Sequence, residues 1–93
     1  MIRVFIGPRL IRFARKLNRE SQANLETVLA EVARHFGEPH RHSGLGLRKL
    51  TRYAWECRLD IRWRIVFVQE GDCLRAYDIM DHAEVRAWLK GRR

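Results

Sequence analysis

The sequence predicts an α+β fold of order β-α-α-β-β-β-α, with an antiparallel sheet packed against an N-terminal helical hairpin. Three observations carry that expectation. Apolar residues recur at helical spacing between Leu10 and Phe36; they alternate with polar ones from Ala54 to Met80; and helical spacing returns after Asp81. A chain of 93 residues is expected to be one domain, residues 1–93, with a single modest core.

Ile2 to Ile6 reads as a short first strand. Gly7-Pro8 ends it and opens a helix, because the fixed φ of proline suits a first helical turn and its missing N–H is not needed there. Leu10, Phe13, Ala14 and Leu17 then fall at i, i+3, i+4 and i+7, one apolar stripe. Asn18-Arg19-Glu20 interrupts the pattern. Ser21 is expected to cap a second helix, with Leu25, Val28, Leu29, Val32 and Phe36 along one side. Gly37 suits the position just past its end, and Pro39 blocks continuation.

Glu38 to Gly46, rich in His, Gly and Arg, is expected to be a loop. Ala54–Asp60, Arg62–Gln69 and Cys73–Met80 are expected to form a meander, with Glu70-Gly71-Asp72 as a turn. Asp81 and Glu84 have the spacing of a capping box, and Val85, Trp88 and Leu89 give the closing helix its apolar side. Arg92 and Arg93 are expected to trail into solvent.

Register turns this pattern into chemistry. Trp55, Cys57 and Leu59 alternate with Glu56, Arg58 and Asp60; Trp63, Ile65 and Phe67 alternate with Arg64, Val66 and Val68. Burying both apolar sets on one face requires an odd-numbered loop such as Asp60-Ile61-Arg62. That register sets Leu59 against Trp63 and Cys57 against Ile65, and on the other face Arg58 against Arg64 with Glu56 near Val66. Neighbouring arginines repel unless compensated. Glu56 and Asp60 are the local candidates; a phosphate fits the paired guanidinium forks better.

The charge balance points the same way. Lys+Arg number 19 against 11 Asp+Glu, a formal net charge of +8, which favours polyanionic partners through counterion release. The apolar run after Met1 is too short for a signal peptide or a membrane span, so no membrane partner is expected. Cys57 and Cys73 lack CxxC spacing and read as reduced, mostly buried thiols of a cytoplasmic protein. His35, His40 and His42 invite a metal, but no Cys or carboxylate completes a tetrahedral set at a recognisable spacing. Gly44-Leu-Gly46 lacks the Gly-Lys-Ser/Thr of a P-loop. Neither a metal nor another cofactor is expected.

The segments "GLGLRKL", "WECRLDIRWRIVFV" and "IMDHAEVRAWL" between His42 and Leu89 resemble the RelE/ParE superfamily of bacterial toxins. The resemblance lies in a basic loop before a strand ending Arg-Leu, then an aromatic-Arg-aliphatic-aliphatic-aromatic strand (Trp63 to Phe67), then a strand ending near a His or Arg. It covers the chain in architecture and about half of it in motif. It implies a type II toxin silenced by a cognate antitoxin. Its nuclease branch cleaves mRNA in the ribosomal A site without metal, the RNA's own 2′-OH attacking the adjacent phosphate. Another branch poisons DNA gyrase.

Carried over by position, Arg64 matches the strand arginine on the scissile phosphate, Arg58 a basic position on the preceding strand, and His82 a catalytic His or Arg. Glu56 stands where RelE-type members have lysine, and reads either as a general base or as the partner of Arg58. No tyrosine follows His82, where several nuclease members stack one on a base; Trp88 has core spacing instead. Arg48, Lys49, Arg52 and Arg62 are candidates for gripping RNA or the ribosome, contacts that position without specifying sequence. Apart from the two toxin branches, a non-catalytic basic binding module stays open.

Overall fold

The computed structural model describes residues 1–91; the expectation for Arg92 and Arg93 lies outside them. The elements run β1 (Arg3–Ile6), α1 (Pro8–Ala14), α2 (Arg19–His35), α3 (Pro39–Leu45), β2 (Leu47–Lys49), β3 (Ala54–Arg58), β4 (Arg64–Glu70), β5 (Cys73–Met80) and α4 (His82–Lys90). The strands form one sheet of order β1-β5-β4-β3-β2. The meander is antiparallel as expected, but β1 pairs with β5 in parallel, so the sheet is mixed. No helix of the described residues is long and apolar enough to cross a membrane.

Alternation along the strands builds the core. Cys57, Ile65, Phe67, Leu74 and Ala76 face the α1–α2 hairpin, whose Leu10, Leu25 and Val32 complete a buried cluster. The other face is closed at its centre by α4, where Val85 packs on Val66 and Met80, with Trp88 and Leu89 alongside. A register shift in β4–β5 leaves Tyr77 unpaired between Asp78 and Ala76. That bulge turns Tyr77 toward α4, its ring 5.5 Å from that of Trp88.

The structure departs from the sequence expectations in definite places. The cap of α2 is Asn18, not Ser21: the Asn18 side chain accepts from the Ser21 N–H at 2.8 Å. Asn meets the geometric demand as well as Ser, and lying earlier it gains a turn of helix. Glu38 to Gly46 is not a plain loop, because Pro39 starts the short helix α3. Its histidine ring is held locally: His42 stacks on Phe36, meets Trp55 edge-on, and accepts at Nε2 from the Gly37 N–H. His35 is flanked by Glu31 and Glu38.

Leu47–Lys49 forms the additional strand β2, and the strands around the expected Asp60-Ile61-Arg62 loop end earlier, at Arg58 and Arg64. Cys57 is buried, whereas Cys73 is only half-buried. The Asp81–Glu84 capping box is present in full.

Candidate nucleic-acid cleft

β3 and β4 pair with Cys57 opposite Ile65, Arg58 opposite Arg64 and Glu56 opposite Val66, the register required by the alternation. Leu59 closes the hairpin by donating its N–H to the Trp63 carbonyl at 2.9 Å. Because Cys57 and Ile65 are buried against the helices, Glu56, Arg58 and Arg64 emerge on the opposite face. β2 extends the same face: Arg48 lies opposite Glu56. α4 begins there too, since the cap at Asp81 makes His82 its first residue.

These elements enclose a cleft of about 330 Å³ lined by Gly46, Leu47, Arg48, Glu56, Arg58, Arg64 and His82. Gly46 is required at its wall. It ends α3 in the left-handed region, with φ of 74°, and a Cβ there would sit 3.2 Å from that of Arg58.

Glu56 organises the cleft. It is the buried charged residue among those described, at 4% exposure, and a carboxylate so placed needs cationic partners. Arg48 meets its Oε1 at 2.8 Å, and Arg64 Nε lies 3.6 Å from its Oε2. Oε2 accepts no hydrogen bond. Arg64 is held at 21% side-chain exposure, so its charge is only partly solvated.

Arg58 is different. Among the described residues no carboxylate pairs with it. Asp60, the other acid near it in sequence, spends Oδ1 on the N–H groups of Arg62 and Trp63 at 2.9 and 2.7 Å. Three guanidiniums thus share one carboxylate beside an exposed imidazole, an arrangement that lacks an anion.

The expected RNA-gripping residues divide. Arg48 joins the cleft. Lys49, one residue on, points to the other face, with its Nζ 5.6 Å from the Trp55 ring. Arg62 leaves the cleft at the hairpin tip and lies 4.5 Å over Trp63. Arg52 lies over Tyr53 and lines a larger hollow of about 770 Å³ with Leu50, Arg86, Leu89 and Lys90. That hollow has cations but no proton acceptor, so it can bind and not catalyse. Arg48 was placed among the gripping residues by its charge; only the pairing of a three-residue strand brings it to Glu56. Among the described residues no group of three or more His, Cys, Asp or Glu side chains is gathered to hold a metal ion.

Comparison with known proteins bears on the fold. No family model matches the chain, and no curated protein is similar to it in sequence. Solved structures do match. The RelE–RelB complex of the archaeon Pyrococcus horikoshii superposes with a TM-score of 0.67 at 14% identity, over 86% of this chain and 93% of that one. The YoeB–YefM complex of Staphylococcus aureus gives 0.61 at 12%, over 88% and 98%. The DinJ–YafQ complex of E. coli gives 0.57 at 13%, over 91% and 98%. The fold is that of the RelE-type toxins.

Proposed function

We propose that this protein is the toxin of a type II toxin–antitoxin pair, acting in the cytoplasm as a metal-independent, ribosome-associated mRNA endoribonuclease. The observation that carries the reading is the convergence of Arg48, Glu56, Arg58, Arg64 and His82 on one cleft of a RelE-type fold.

Transesterification needs a cation for charge growing on phosphate, an acceptor for the 2′-OH proton and a donor for the leaving oxygen. In this reading Arg58 and Arg64 clamp the scissile phosphate, and Arg58 gains the anion it lacks. The 2′-oxygen attacks phosphorus, giving a 2′,3′-cyclic phosphate and a free 5′-hydroxyl. Glu56 is the carboxylate lining the cleft, and its Oε2 takes the 2′-OH proton once phosphate draws Arg64 from it. His82, exposed at the start of α4, returns a proton to the departing 5′-oxygen. Arg48 keeps Glu56 in place.

A cognate antitoxin, of acidic or amphipathic character to suit the +8 charge, covers the basic surface. The start of α4 favours a second reading, since no tyrosine follows His82 to stack on a base. That reading is a gyrase poison on the same fold.

Induction in cells, with mapping of mRNA 5′ ends and a parallel assay for gyrase-dependent DNA breaks, separates the two. Cuts within translated codons, relieved by co-expressing the neighbouring small gene, are the expected result. DNA breaks without mRNA cuts would establish the second reading, and neither effect would leave a basic binding module.

A further inference from the structure

Outside the cleft, the tip of the β3–β4 hairpin presents a rigid apolar and cationic platform. Ile61 is 100% exposed, although it is a large aliphatic side chain. The turn beneath it is pinned by Asp60 Oδ1, which accepts from the N–H groups of Arg62 and Trp63. The Leu59 and Asp60 N–H groups both donate to the Trp63 carbonyl, at 2.9 and 3.2 Å. Trp63 is fixed from below by an edge contact with Phe13 of α1, ring centroids 4.8 Å apart. Arg62 lies over Trp63 at 4.5 Å. With the carboxylate of Asp60 spent on backbone amides, Arg62 has an anchored inner face and a solvent-facing outer one.

We infer that this tip is a base-stacking platform: Arg62, backed by Trp63 and flanked by Ile61, holds the RNA base next to the scissile phosphate. The inference rests on the proposed function and adds the element that fixes the substrate's geometry. In-line attack by a 2′-OH requires the two nucleotides to be splayed out of helical stacking. Phosphate contacts from Arg58 and Arg64 cannot impose that, because they leave the bases free to rotate. A base needs a flat surface, and guanidinium planes serve as well as aromatic rings.

Near the cleft, the tip supplies such a surface. Trp88 is turned into the α4 cluster beside Tyr77. Tyr53, 57% exposed with Arg52 over it, belongs to the larger hollow. Arg62 and Arg64, two residues apart along extended chain, are separated by about 7 Å, a reach that suits neighbouring groups of one strand.

The test uses an mRNA carrying 2′-deoxyribose at the attacking nucleotide, so that it binds without being cut. 2-Aminopurine replaces the base on either side of the scissile phosphate, and the message is loaded on programmed ribosomes. Binding of wild-type protein should quench one of the two reporters. Arg62→Ala should remove most of that quenching and weaken binding about 5- to 50-fold, the range of one stacked base. Arg62→Lys, which keeps the charge and loses the plane, should lose nearly as much. An abasic site at the reporter position should weaken the wild type similarly and make Arg62→Ala no worse. Ile61→Ser should cost a few-fold, and Arg34→Ala, on the exposed side of α2, nothing.

If Arg62→Lys binds like wild type, or the loss in Arg62→Ala persists undiminished on abasic RNA, Arg62 is a charge contact and the platform is refuted. A wild type that cuts normal message while Arg62→Ala binds and cuts equally well sinks the platform and leaves the proposed function standing. A wild type that neither binds nor cuts overturns both.

Discussion

On the face that carries the α1–α2 hairpin, β3 and β4 contribute Cys57, Ile65 and Phe67, all at 0% exposure. On the opposite face the same strands contribute Glu56, Arg58 and Arg64 at one end and Val66 at the centre. The covering elements differ in length. α2 has 17 residues and seals its face across the sheet, whereas α4 has 9 and covers only the middle of the other. Stability is therefore concentrated on one face, and chemistry sits where the short helix stops. A side chain one position along a strand passes from a site where volume matters to one where charge matters.

Substitutions on the two faces should separate these roles, and the largest expected effect is on folding. Phe67→Ala removes a fully buried ring and should cost about 3–5 kcal/mol, much of the stability of so small a domain. Urea unfolding should show a large fall in midpoint. Activity per folded molecule should stay intact; a loss of activity without a loss of stability would break the division of the faces.

Arg64→Ala, on the other face, should do the reverse. Losing a contact that stabilises charge only in the transition state costs about 3–4 kcal/mol, a rate factor on the order of a hundred to a thousand. Single-turnover cleavage on programmed ribosomes measures it, with melting as the check on folding. Cleavage at the wild-type rate would remove Arg64 from the site.

The third effect tests how dry the sealed face is. Burial, aided by the neighbouring Glu56 carboxylate, raises the Cys57 thiol from 9.0 to about 11. Its Sγ also donates to the Leu45 carbonyl at 3.2 Å. Below pH 9 the thiol keeps its proton in both folded and unfolded chains, and its contribution is whole. Between pH 9 and 11 the unfolded chain loses that proton first, so stability falls, by about 2–3 kcal/mol in all. Because lysines and tyrosines titrate in the same window, the measurement is the difference between wild type and Cys57→Ala from pH 8 to 11. Parallel curves would show that water reaches the thiol.

The smallest effect links the faces to the helix between them. Asp81→Ala removes the cap of α4 and should cost about 1 kcal/mol of stability. It also frees the first turn, which carries His82. Cleavage should slow more than the stability change explains, because the proton donor is no longer held over the cleft; equal small losses in both would make the cap merely structural.

Much of this was legible in the chain because it depends on local rules. The period of two in β3 and β4, with an odd-numbered loop between them, sufficed to set Arg58 beside Arg64 and to place Glu56 on the same face. The Asp81–Glu84 spacing located the start of α4 and with it His82. Other features depend on which distant segments meet. Leu47–Lys49 is too short to carry a pattern of its own; it is a strand because β3 offers it an unpaired edge, and that pairing delivers Arg48 to Glu56 and sends Lys49 to the opposite face. Parallel pairing of β1 with β5 and the helix from Pro39 were hidden for the same reason.

The sequence by itself determined the α+β class, the faces of the central hairpin and the paired arginines, because alternation and capping act between residues close along the chain. Only the tertiary structure decided that Arg48 and His82, from opposite ends of the sheet's sequence, converge on Glu56 and Arg64, and that Arg62 stacks away from them. Burying a carboxylate at 4% exposure demands cations, and which cations reach it depends on contacts between segments that alternation and capping do not specify.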